Sequence, residues 1–140
     1  MAKIRATVNN HRGVNEVNLQ TNSHIHTIEI PPKSEGYGSI ASGGELLFLA
    51  LATCYCNDIY REAAKRGIKV ERVEVDVDGD FEREGGPATN IAYSARVKAD
   101  ASKEDILDLM RYTNQVVEVQ NTLRVATPIK LRSCEVIDKG

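Results

Sequence analysis

Tryptophan is absent from the 140 residues, and five tyrosines and two phenylalanines are the whole aromatic content. A chain so poor in flat side chains offers little platform for stacking nucleic-acid bases or sugar rings. Long apolar runs are missing too. The longest continuous one, Leu46 to Ala52, is far below the ~20 residues that span a bilayer. Nor does either sign of charge dominate: 18 Lys and Arg face 20 Asp and Glu, for a formal net charge of −2. That leaves no electrostatic reason to expect nucleic acid or an anionic membrane as a partner. The opening MAKIRATVNN carries no apolar signal core, so the protein is expected in the cytoplasm. Cysteine is scarce and odd in number, three without framework spacing, which suits free thiols in a reducing compartment. What is present, 41% apolar and 27% charged residues, is ordinary for a globular protein. The length suits one domain over 1–140.

Ile4, Ala6 and Val8 alternate with polar neighbours, Val14 to Leu19 does so more loosely, and His24 to Ile30 alternates again. These spacings predict three antiparallel strands joined by turns at 9–13 and 21–23. Pro31-Pro32 ends the third, because neither residue can donate to a ladder. After a Gly/Ser-rich loop, residues 42–66 read as a helix that opens fully apolar, finishes charged and stops at Gly67. Its first half is expected to be buried on all sides. Val70 to Asp78 and Asn90 to Ala99 give two more strands around an exposed loop at 82–87. Ser102 caps a second helix, with Asp105 three residues on and Ile106, Leu107, Leu109 and Met110 as its apolar face. Residues 116–125 are ambiguous, and Pro128 to Ile137 reads as a last strand. The order βββ-α-ββ-α-β predicts an α+β fold, helices packed on an antiparallel sheet. A central helix apolar on every face needs more cover than one such chain supplies, so a homodimer is expected.

Cys54 and Cys56 stand out within LALATCYCNDIY. Two positions on a helix are about 200° apart, so the two sulfurs cannot bond to each other. Cys54 shares a stripe with Leu47, Ala50, Leu51 and Asp58; Cys56 shares one with Leu49, Ala52, Ile59 and Ala63. Buried packing thiols are one reading of both, since free cysteine is among the most buried residue types. A reactive Cys54 is the other. It lies too deep in the helix for the dipole to activate it, and would need a cation such as Arg5 or Arg12. His24 and His26 share a strand face, but two imidazoles fall short of a metal site and His11 is in a turn. No metal is expected. GYGSIASGGE lacks a Lys followed by Ser or Thr and lacks Rossmann spacing, so no nucleotide cofactor is expected either. Ser39 and Ser42 lack a G-x-S-x-G context.

The stretch SGGELLFLALATCYCNDIYREAAKRGIKVERVEVDVDGD resembles the central helix and following strand of the OsmC/Ohr family, the osmotically inducible and organic hydroperoxide resistance proteins. The shared pattern is a Ser-rich loop, then ELLLAAL-x-x-C, A-x-x-x-G and a valine-alternating strand. SHIHTIEIPPKSEGYG is similar to the family's preceding strand and glycine loop, and VQNTLRVATPIKL to the region around its second cysteine. The resemblance implies a cytosolic, intertwined homodimer that reduces organic hydroperoxides. One helix cysteine attacks, a second resolves the sulfenic acid, and an Arg and a Glu position the first. Cys54 matches the attacking cysteine, while Val117 stands where the second belongs. Gly44 occupies the helper-Glu position of the hydroperoxide-resistance branch; Glu45, one place off, is about 13 Å along the helix from Cys54. Cys134, on the expected last strand, is the other candidate for resolving Cys54, though on the side opposite Ile129 and Leu131.

Two functions follow from the resemblance. The first is thiol-dependent reduction of organic hydroperoxides by Cys54, assisted by Arg5 or Arg12 and resolved by an external thiol. Leu47, Phe48, Leu51, Val116 and Val117 would form the apolar wall that favours organic substrates. The second is a non-catalytic dimer that binds a small apolar ligand and retains Cys54 as packing. A depressed Cys54 pKa distinguishes the first from the second.

Overall fold

Antiparallel pairing begins at the first turn of the chain. In the computed structural model, which describes residues 2–35 and 38–137, β1 (Ile4–His11) runs back along β2 (Val14–Thr21), with Val8 opposite Val17 and Ala6 opposite Leu19. Arg12 and Gly13 make the connection, with Gly13 at φ +75 where a side chain would be strained. This turn is tighter than the five residues expected. A second two-residue turn, with Asn22 at φ +53, leads into β3 (His24–Thr27). The third strand therefore ends three residues earlier than its alternation to Ile30 suggests. Asn15 explains the early stop: its side-chain amide donates to the Ile30 carbonyl at 2.6 Å and to Ser39 Oγ at 3.0 Å, drawing the chain out of the ladder. An isolated bridge then joins Pro32 and Ser39.

The chain forms two compact units, Met1–Phe48 and Leu49–Gly140. The first holds the β1-β2-β3 sheet, in which Val17 is buried while Ile4 and Val8 are exposed. Helix α1 (Gly43–Lys65) begins in it. Its N-terminus is a reciprocal capping box: Glu45 N–H donates to Ser42 Oγ at 3.1 Å, and Ser42 N–H donates to Glu45 Oε1 at 2.8 Å. Those backbone and side-chain bonds to Ser42 hold the Glu45 carboxyl below its ordinary pKa.

The second unit packs the rest of α1 on a hairpin of β4 (Lys69–Asp80) and β5 (Thr89–Asp100). The helix ends in a Schellman motif. Ile68 N–H reaches the Ala63 carbonyl at 2.9 Å, Gly67 N–H reaches that of Ala64 at 3.3 Å, and Gly67 takes φ +67. Val73, Val75 and Val77 face Val97, Ala95 and Tyr93 across the ladder. Helix α2 (Lys103–Val116) starts at Ser102, whose Oγ accepts from Asp105 N–H as its sequence predicts. The ambiguous segment resolves into a short helix, α3 (Glu118–Arg124), set off from α2 by extended backbone at Val117. Tyr55, Ile59, Ala63, Leu109 and Val117 are the buried centre, with Cys54, Val73, Val75, Tyr93 and Met110 packed around them. Tyr55 donates its hydroxyl to the Met110 carbonyl at 2.9 Å, and burial pushes its pKa up to about 12.

Two expectations need correction. The residues from Pro128 to Ile137 form no strand, so the order is βββ-α-ββ-α-α and Cys134 is exposed on irregular chain. A strand needs a ladder partner for its N–H and C=O groups, and both described sheets close without it, as three strands and two. The five strands accordingly form two sheets, not one sheet of six. Within the single chain, Leu49 in the opening of α1 is 58% exposed whereas Leu51 is 2% exposed. The helix buries one face, Leu51, Tyr55, Asp58, Ile59, Glu62 and Ala63, mostly in its charged half. No helix among the described residues is long and apolar enough to cross a membrane.

Candidate active site

A buried helix face that contains Asp58 and Glu62 must neutralise them, because a charge removed from water without a partner is costly. Arg61 performs most of this. Its Nη1 lies 3.2 Å from Asp58 Oδ1 and 2.8 Å from Glu118 Oε2, and its Nε donates to Glu62 Oε2 at 2.8 Å. Lys65 adds a second bond to Glu62 Oε2 at 3.1 Å. These bonds hold Glu62 below its ordinary pKa and raise that of Arg61.

Cys54 sits one turn before Asp58 on the same face. Its half-buried thiol donates to Asp58 Oδ2 over a long 3.9 Å, and the Cys54, Asp58 and Glu118 ligand atoms all lie within 4.8 Å of one another. The break at Val117 places α3 so that the backbone N–H of Val119, and more weakly that of Glu118, faces the sulfur. Those first N–H groups have no acceptor inside their own helix. Burial, followed by the charges of Asp58 and Glu118, nevertheless raises the thiol pKa above its ordinary value, against the lowering contribution of the backbone. The resting group is a protonated thiol. Asp58 is raised to about 6, by burial first and then by its hydrogen bond with Glu118, whereas Glu118 is lowered by the same bond. Asp58 is therefore the first of the two carboxyls to take up a proton as pH falls, and above about pH 6 it stands as a carboxylate.

A sulfur and two carboxylates could also meet a divalent cation. Arg61 already supplies positive charge to both carboxylates.

Of the residues the sequence singles out, the second unit brings Cys54 and Val117 together in one core. Leu51 is buried and accepts the Gln120 side-chain amide on its carbonyl at 2.9 Å; Val116 is half-buried at the end of α2. Leu47 and Phe48 are half-buried in the opening turns of α1. Arg5 lies on β1 in the first unit, beside a depression it lines with Thr7, Asn18, Gln20 and Ile25, and Arg12 lies in the β1–β2 turn. Glu45, already excluded by distance, is used in the cap of α1. His24 and His26 are exposed on β3. Sequence reasoning placed Asp58 on the Cys54 stripe but gave it no role, and it missed Arg61 and Glu118. The i, i+4 spacing of Cys54 and Asp58 was a visible signal; Glu118 depends on the turn at Val117, which no periodicity marks.

The family model for OsmC-like protein matches residues 36–132. The chain belongs to the OsmC-like family. No curated relative matches it. Among solved structures, this OsmC-like chain is similar to an OsmC-like protein from Mycoplasma pneumoniae, at 18% identity and a TM-score of 0.58, covering 91% of this chain and 89% of that one. It is also similar to an OsmC-like protein of unknown function from Vibrio cholerae, at 11% identity and a TM-score of 0.54, covering 87% and 92% of the two chains. A third match, an organic hydroperoxide resistance protein from Elizabethkingia anophelis, has 16% identity and a TM-score of 0.47, with 90% and 89% covered. At these identities the first two establish the α+β fold.

Proposed function

We propose that this OsmC-like protein is a single-cysteine thiol peroxidase that reduces organic hydroperoxides, with Cys54 as the nucleophile. The observation that carries the reading is the setting of Cys54: a half-buried thiol that meets both the Asp58 carboxylate and the Val119 backbone N–H. A packing cysteine has no need of either. The N–H is placed to stabilise negative charge on sulfur as attack proceeds. Oxidised Cys54 has Val117 where the family resemblance puts a second cysteine, so an external small thiol completes turnover. The protein is proposed to act as a cytoplasmic homodimer. Exposed apolar residues such as Ile4, Val8, Ile129 and Leu131 support that assembly, since each needs cover that the single chain does not supply.

The raised thiol pKa and the valine at 117 favour a second reading, a non-catalytic dimer that binds a small apolar ligand. One experiment separates them. The reduced protein is exposed briefly to near-stoichiometric organic hydroperoxide with a sulfenic-acid trap, and the intact mass is measured beside that of Cys54→Ser. A rapid adduct confined to Cys54 is the expected result. An inert Cys54 rejects the peroxidase and leaves the ligand-binding dimer.

A further inference from the structure

We propose that Asp58 is the base that takes the Cys54 thiol proton during attack on a hydroperoxide and returns it to the departing alkoxide. The role rests on the peroxidase reading above and deepens it. Cys54 and Asp58 stand four residues apart on α1, so the helix itself aims both side chains along one face. The sulfur is 3.9 Å from Asp58 Oδ2. The other oxygen is fixed: Asp58 Oδ1 lies 3.2 Å from Arg61 Nη1, the same nitrogen that lies 2.8 Å from Glu118 Oε2. Arg61 is anchored in turn by Glu62, which Lys65 also holds. The charged groups facing the pair are thus Arg61, Glu62 and Lys65 from α1 and Glu118 from α3. Arg61 and Glu118 are positioning residues that keep one Asp58 oxygen turned toward the thiol.

The chemistry requires such a group. Burial and two neighbouring carboxylates keep the resting thiol protonated, and a thiol is a poor nucleophile until its proton leaves. In the proposed step the S–O bond forms as the O–O bond breaks, and two electrons pass from sulfur to the peroxide. The thiol proton moves to Asp58 Oδ2 and then to the alkoxide oxygen, so that thiol and hydroperoxide become sulfenic acid and alcohol. A small-molecule thiol then displaces water from the sulfenic sulfur, and a second releases reduced Cys54 and a disulfide.

Charge and base catalysis predict opposite signs for one substitution, which makes the role testable. The Asp58 charge raises the thiol pKa, so if its effect were electrostatic alone, Asp58→Asn would yield more thiolate and faster oxidation. As the base, its loss slows oxidation of Cys54 by cumene hydroperoxide about 100-fold at pH 7. As pH rises and solvent takes the proton instead, the two rates converge. Circular dichroism checks the fold. If the Asn chain does not fold, Asp58→Glu keeps the charge but moves the carboxylate by one methylene, and its rate falls about 10-fold at pH 7 while approaching that of wild type as pH rises. A variant equal to or faster than wild type at pH 7 overturns the role of Asp58 alone. A wild-type Cys54 that does not react rejects the peroxidase itself, and the role with it.

Discussion

Gln120 ties α3 to α1 by donating its side-chain amide to the Leu51 carbonyl at 2.9 Å, while its own Oε1 is buried without a hydrogen-bond partner. This bond holds in place the helix that carries Glu118 and the Val119 N–H. Gln120→Leu removes the tether together with the orphaned oxygen. Replacing a half-satisfied buried amide by an apolar group of similar size is close to neutral. The urea midpoint of Gln120→Leu should therefore correspond to a stability within about 1 kcal/mol of wild type, while the oxidation rate of Cys54 falls. A large loss of stability would show that the tether carries folding energy instead.

Val117 is wholly buried in the core against which Cys54 packs, at the position where the family resemblance expects a second thiol. Val117→Cys changes few atoms there. Peroxide treatment of this variant should give an internal disulfide with Cys54, seen as loss of both free thiols and of two hydrogens in intact mass. Persistence of a trapped sulfenic acid in V117C would place the two side chains out of bonding reach.

Stability should carry the signature of Asp58. Folding raises its pKa from 3.8 to about 6, so between those values the native state binds more protons than the unfolded one. Stability from this group is then complete below about pH 4 and is lost as pH rises through about 6. Glu118 and Glu62 are lowered by their partners and act in the opposite sense, stabilising above the ordinary carboxylate range and losing that contribution as pH falls below it. Urea midpoints measured from pH 4 to 7 should decline with pH for wild type and flatten for Asp58→Asn. An unchanged slope in the variant would assign the decline to other groups.

Dimerisation can be read directly. Ile129 and Leu131 are 98% and 82% exposed on chain that makes no ladder. Sedimentation should report two chains per particle at micromolar concentration, and the double change Ile129→Asp, Leu131→Asp should give one. A wild-type monomer would remove the homodimer.

How much of this was written in the sequence depends on which forces act locally. Ser102 and Asp105, Gly67, and the alternating valines of β4 each encode their element within a few residues, and all appear where they are expected. The capping pair Ser42 and Glu45 is equally local, an S-x-x-E spacing at the start of the apolar run. The strand expected at 128–137 failed because alternation specifies a face, whereas a strand also needs a neighbour to pair with. At the site, Cys54 and the buried Val117 could be placed from family resemblance. The Arg61–Glu118 contact joins residues 57 positions apart, and only the break between α2 and α3 brings them together.

Charge along the β4–β5 ribbon also governs how the molecule behaves when crowded. Arg96 and Arg72 reach Glu74, and Lys98 reaches Glu71 at 3.3 Å. A fresh strand docking on this ribbon would have to disturb that lattice of paired charges, which discourages open-ended stacking of hairpins. Among the described residues, the irregular tail shows no such paired charges along Ile129, Leu131, Val136 and Ile137. Concentrated solutions that cloud on warming should therefore clear when those apolar positions are masked, and not when the ribbon is altered.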